Sequence, residues 1–190
     1  MKNDYCRLAR LAVENFIKHQ KIISPPKDIN PELLKTRSGV FVSINKDKKL
    51  RGCIGTYLPT QENIAQEIIH NAIAAATRDN RFSPIQEKEL NQLSYTVYLL
   101  EKPSPVKDLD ELDPKKYGIL VQTVPLAKSK DVFFNGHLRE KSALLLPNLE
   151  GIDTKEKQIV IACHKGNINP FIDKIVIYKF KAKKFTENEN

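Results

Sequence analysis

The run Leu50-Arg51-Gly52-Cys53-Ile54-Gly55-Thr56 constrains this chain more than any other stretch. It reads as a β-strand, yet it carries two glycines. Glycine weakens a strand and permits close approaches that a Cβ would forbid, so it points to a bulge, a twist or room for a ligand. A strand alternates its side chains with period two, which puts Arg51 and Cys53 on one face. A guanidinium beside a thiol favours the thiolate, the nucleophilic form. Cys53 is therefore a candidate catalytic nucleophile. The same residue equally suits a small hydrophobe packed in a strand.

The rest of the chain mixes strands and helices without a strict βαβ repeat. Tyr5, Leu8, Ala9, Ala12, Val13 and Phe16 recur at helical spacing and predict an amphipathic helix over residues 4–19. Gly39–Ile44 reads as a strand. Asn45-Lys46-Asp47-Lys48 suits a turn, and Leu50–Ile54 returns as the second arm of a hairpin. Thr60 is the expected N-cap of an alanine-rich helix over 61–77. A polar turn, Arg78-Asp79-Asn80-Arg81, follows, with Phe82 expected to anchor it in the core. Pro84 opens a short helix that runs to about Leu93.

Ser94–Glu101 is a strand apolar on both faces, as in the middle of a covered sheet. Strands are also expected over 118–124, 132–135, 143–146 and 174–180. Asp153 or Thr154 caps a helix reaching Lys165. The charged tail from Lys181 is expected to fray. This order argues an α+β fold with a mostly antiparallel sheet flanked by helices.

At 190 residues the chain suits one domain, or one with a modest subdomain, and can bury a core without disulfide staples. The longest apolar runs fall well short of the roughly 20 residues that cross a bilayer. The N-terminus lacks the apolar block of a signal peptide, so the expected location is cytoplasmic. Cys6, Cys53 and Cys163 are odd in number and far apart, which argues against a structural zinc site or a disulfide framework. Cys6 and Cys163 fall on apolar helix faces and read as core.

The net charge of +8 admits nucleic acid, anionic lipid or an acidic partner. The basic residues are scattered in small clusters, such as Lys46/Lys48/Lys49/Arg51 and Lys179/Lys181/Lys183/Lys184, and read first as a solvated surface. No nucleic-acid motif accompanies them.

Arg51, Asp79 and Arg81 admit two readings. Two arginines oriented by an aspartate could grip a carboxylate or phosphate on an anionic ligand, with Gly52 and Gly55 leaving it room. Alternatively they form an ion pair that locks the turn to the hairpin. No partner base for Cys53 stands near it in sequence; His70, His137 and His164 read as surface residues.

Leu50–Thr56, the alanine-rich helix and Asp79-Asn80-Arg81-Phe82 together resemble the AMMECR domain family. The resemblance continues through Glu89–Leu93, Leu144-Leu145-Leu146-Pro147 and Cys163-His164-Lys165, and so covers nearly the whole chain. Asn80 stands where that family usually has proline, and Gly166 where alanine is usual. The stretch Asn135–Glu140 is also less typical.

The resemblance implies a single domain over residues 1–190, with a larger and a smaller lobe and a cleft between them. It implies no settled reaction and no known cofactor. It does imply an association with Memo-like and radical SAM proteins, in the grouping called AmmeMemoRadiSam. Three functions stand in order: a binding or accessory module for such partners; an enzyme using Cys53 with an Arg/Asp anion pocket, in nucleic-acid or protein modification; and nucleic-acid contact through the basic surface.

Overall fold

The computed structural model describes residues 3–124 and 141–187. The chain divides into two compact units. The first comprises residues 1–102 together with 183–190, and the second residues 103–182.

In the first unit, helix α1 (Asp4–His19) is capped by the Asn3 side chain, which accepts the Cys6 N–H. A single helical turn, α2 (Glu32–Lys35), precedes the hairpin of β1 (Gly39–Lys46) and β2 (Lys49–Thr56). Helix α3 (Ile64–Thr77) and β3 (Leu93–Leu100) follow. The late strand β8 (Ala182–Thr186) completes an antiparallel-hairpin-based sheet in the order β2-β1-β3-β8.

One face of this sheet is apolar. Val40, Val42, Ile44, Tyr95 and Val97 pack there with Leu8, Ala12 and Val13 of α1 and with Ala65, Ile68, Ile69 and Ala72 of α3. The alternation of strand side chains leaves Phe41, Ser43, Cys53, Thr96 and Tyr98 on the other face.

Gly52 is required by the close packing of β2 on α3. A Cβ at that position would lie 2.2 Å from the Ala75 carbonyl oxygen, which is helix backbone and cannot move aside cheaply. The alanines of α3 permit this approach.

The second unit holds β4 (Ser104–Pro105), β5 (Gly118–Thr123), β6 (Ser142–Leu145) and β7 (Ile175–Phe180), in the antiparallel order β4-β7-β5-β6. Helix α4 (Lys155–Lys165) packs its Ala162 and Cys163 against Ile119, Val121 and Leu145. Thr154, one of the two anticipated caps, accepts the Lys157 N–H, and the helix stops at Gly166.

Several expectations need correction. The hairpin turn is shorter than the four residues anticipated. Only Asp47 and Lys48 form it, both with positive φ, as a two-residue turn with matching twist demands. The N-cap of α3 is Asn63, whose side chain accepts the Gln66 N–H; Thr60 instead binds Glu67. Phe82 is only half-buried, and Ile85 takes the core position after the turn. The segment after Pro84 is a 3-10 helix confined to Glu87–Gln92.

The tail does not fray at Lys181. Residues 182–186 form β8, and Glu187 pairs with Arg10 at 2.8 Å. The strand anticipated over 132–135 lies outside the described residues, as does His137. No helix among the described residues is long and apolar enough to cross a membrane.

Candidate functional site

The site is built on the open edge of β2. The register of the hairpin slips near its turn: Ile44 faces Gly52, whereas Asn45 faces Leu50. Arg51 is therefore the additional residue of a β-bulge, which re-aims its side chain. The strict alternation that would set Arg51 beside Cys53 does not hold there. The Arg51 guanidinium turns to Glu89 instead, with Nε 3.1 Å from one carboxylate oxygen and Nη2 3.0 Å from the other. Its Nη1 donates to the Ser83 carbonyl at 2.8 Å.

Glu89 also accepts the Gln86 N–H, and Lys46 Nζ stands 3.4 Å away. Arg51 above all, with these neighbours, holds the Glu89 carboxyl down to about 2, against the cost of burial.

Asp79 and Arg81 dock on β2 like a short surrogate strand. Asp79 Oδ2 accepts the Cys53 N–H at 2.8 Å, and Arg81 Nη2 donates to the Cys53 carbonyl at 3.4 Å. Within the turn, Arg81 grips Asp79 with two parallel bonds, Nε at 2.9 Å and Nη2 at 2.7 Å. The guanidinium lowers the Asp79 carboxyl to about 2. A sheet edge is thus capped by side chains rather than left as an exposed template.

The anticipated cluster of Arg51, Asp79 and Arg81 is consequently two separate pairs, Arg51 with Glu89 and Arg81 with Asp79. Asp79 fills the locking role foreseen for it, while the Arg81 side chain remains 53% exposed.

Cys53 is half-buried, opposite Ser43 in the register. The outward direction of its N–H and C=O makes Ser43/Cys53 a pair not joined by backbone bonds, in which side chains come closer. The Ser43 hydroxyl accordingly donates to Cys53 Sγ at 3.1 Å. Burial above all raises the Tyr98 phenol, with a smaller electrostatic contribution from Cys53. Gly55 sits across from Phe41, where a Cβ would meet the ring at 2.2 Å and the Val40 carbonyl at 2.4 Å. Gly52 faces α3. Both glycines are occupied by internal packing.

Among the described histidines, His70 is exposed on α3 with Nδ1 2.9 Å from the Gln66 carbonyl, and His164 is exposed on α4. Cys6 and Cys163 are buried, as expected.

A pocket of about 520 Å³ opens beside the two ion pairs. Lys46, Arg51, Arg81 and Lys88 bring four cations to its lining, against the single carboxylate of Glu89; Phe82, Ser83 and Gln86 complete it. The Arg81 guanidinium lies over the Phe82 ring, 5.5 Å from its centroid. Among the described residues, no group of three or more histidine, cysteine, aspartate or glutamate side chains is placed to hold a metal ion.

Two residues of this region escaped the reading of the sequence. Glu89 carried a signal in the spacing Gln86-x-x-Glu89, a capping-box pattern with glutamine at the cap, and in the structure Glu89 accepts the Gln86 N–H as that pattern requires. Glu67 carried another, a carboxylate on the apolar stripe of α3. It is 1% exposed and accepts bonds from Thr56 Oγ1 at 2.6 Å, from the Thr60 and Gln61 backbone at 2.7 Å each, and from Thr60 Oγ1 at 2.9 Å. Burial alone would raise its pKa, but these bonds together hold it below the ordinary value. Glu67 thereby ties the loop after β2 to α3.

The architecture and the edge-docked turn define an α+β protein with two antiparallel sheets flanked by helices and a cationic pocket on the first. The chain belongs to the AMMECR1 family, whose model matches residues 6–185. It is 43% identical over 185 residues to a protein of Thermotoga maritima, which covers 97% of this chain and 98% of that protein. It is 38% identical over 188 residues to a protein of Clostridium acetobutylicum, where it spans only 36% of the relative's length. The crystal structure of an uncharacterized protein from Pyrococcus horikoshii matches 97% of this chain and 90% of that one, with a TM-score of 0.83 and 29% identity.

Proposed function

We propose that this chain is a binding or accessory module that works with Memo-like and radical SAM proteins, and that the pocket lined by Arg51 and Arg81 is its contact site. The observation that carries this reading is the preorganisation of the pocket. Two arginines at one strand edge are each held by a carboxylate, Arg51 by Glu89 and Arg81 by Asp79, before any ligand arrives. Groups fixed in advance lose little entropy on binding, which suits recognition.

The match to about a third of the Clostridium acetobutylicum relative supports a modular role, because the same unit there forms part of a longer polypeptide. The experiment is sedimentation of the purified chain with purified Memo-like and radical SAM proteins of one organism. A complex with at least one of them is expected, weakened by Arg81→Glu. Independent sedimentation of every component would rule the reading out.

A second reading has an observation of its own. Cys53 Sγ accepts a bond from Ser43 and lies within the field of Arg81, surroundings that suit a nucleophile in nucleic-acid or protein modification. Alkylation of Cys53 across pH tests it, and a rate no greater than that of a model thiol would remove it.

A further inference from the structure

The two arginines of the pocket differ in what they still offer. Arg51 has all three nitrogens engaged: Nε and Nη2 by Glu89, and Nη1 by the Ser83 carbonyl. Its side chain is 15% exposed. Arg81 uses Nε and Nη2 on Asp79 and the Cys53 carbonyl. Its Nη1 has no partner among the described residues and carries two N–H groups, and the residue lines the pocket.

Lys88 likewise lines the pocket without a carboxylate partner among the described residues. Lys46 meets Glu89 only at the long distance of 3.4 Å, and both oxygens of Glu89 are already taken by Arg51. With Arg51 offset by Glu89 and Arg81 by Asp79, Lys46 and Lys88 leave a surplus of positive charge facing an open cavity of small-ligand size. The Arg81 fork is spent on Asp79, so Arg81 supplies the N–H groups of Nη1 alone, and the two lysines supply mobile point charges; three separate donors suit the several oxygens of a phosphate better than the two of a carboxylate.

We infer that the pocket binds a phosphate monoester, held by Arg81 Nη1, Lys46 and Lys88, with Arg51 and Glu89 as positioning residues that hold the wall. The inference rests on the reading of this pocket as a contact site and names the chemistry it accepts. The Phe82 ring forms one wall. A phosphate attached to an aromatic base would gain a stacking surface there, whereas one attached to an aliphatic side chain such as serine would not.

The test is titration of the whole chain, without partners, with inorganic phosphate, followed by isothermal calorimetry and phosphorus NMR. Adenosine 5′-monophosphate and O-phosphoserine are titrated in parallel to separate the sources of the phosphate. Saturable binding is expected, weakened about tenfold or more by Arg81→Gln or Lys88→Gln. Lys115→Gln, in the second unit, should leave it unchanged.

Lys88 is exposed, so its variant remains informative if loss of Arg81 unfolds the turn. Tighter binding of the nucleotide than of phosphoserine supports a nucleotide source, and equal binding supports recognition of the phosphate alone. Absence of saturation, or affinities untouched by both substitutions, overturns the inference. Such a failure is distinct from the failure of complex formation with protein partners, which is measured without added phosphate.

Discussion

The Asp79 carboxylate accepts the backbone N–H of Cys53 at 2.8 Å, joining the turn after α3 to the outer edge of β2. That one bond makes the loop a continuation of the sheet. It also fixes where Arg81, and with it one wall of the pocket, must stand.

Acid should loosen this junction. Asp79 and Glu89 both titrate at about 2 in the folded protein, below their ordinary values. Between those values the unfolded chain binds more protons than the folded one, so stability rises with pH there. The contribution of the two pairs is complete above about pH 5 and disappears as pH falls towards about 2. Urea unfolding across this window should show a shallower loss for the Asp79→Asn/Glu89→Gln double variant than for the natural chain. Parallel curves would contradict the assignment.

Gly52→Ala should be costly. The new methyl would collide with the Ala75 carbonyl of α3, and neither backbone has slack. Overpacking of this kind costs about 3 kcal/mol or more when it pushes on main chain. Thermal melts should fall sharply, while Gly151→Ala, with nothing within 4 Å of its Cβ but a φ of +73°, should show only the modest strain of a left-handed position.

Glu67→Gln should release the loop over residues 57–63. The carboxylate accepts two backbone N–H groups and two hydroxyls, and an amide would turn a donor into that ring of donors. A loss of about 3 kcal/mol is expected. Hydrogen exchange should rise at Thr60 and Gln61 before it rises elsewhere in the unit.

Cys53 should be the first cysteine to be alkylated under native conditions. It is half-buried, whereas Cys6 and Cys163 are 1% and 3% exposed. Peptide mass spectrometry over a time course of iodoacetamide treatment reads the order directly. Equal rates at the three positions would mean that labelling follows global unfolding.

Local signals made much of the fold legible. The helical stripes of α1 and α3, the hairpin and the cap at Thr154 all follow from neighbours a few residues apart. What escaped depended on partners distant in sequence. The bulge at Arg51 is a property of how β2 meets β1, and nothing in Leu50–Thr56 announces which residue will be extra. Lys183 and Lys184 disguised β8 as a solvated tail, although the strand is anchored by Glu187 on Arg10 and by Asn3 on the Thr186 carbonyl. At the candidate site, Arg51, Asp79 and Arg81 stood out by type, but the pairing that divides them required Glu89.

The late arrival of β8 has a consequence for biosynthesis. Until residues 103–182 have left the ribosome, the unit formed by the first 102 residues lacks its closing strand, and β3 is left as a naked border. A nascent chain paused in that interval offers an open row of amides to any passing extended peptide. Translation speed through the inserted region should therefore govern how much of the newborn protein aggregates.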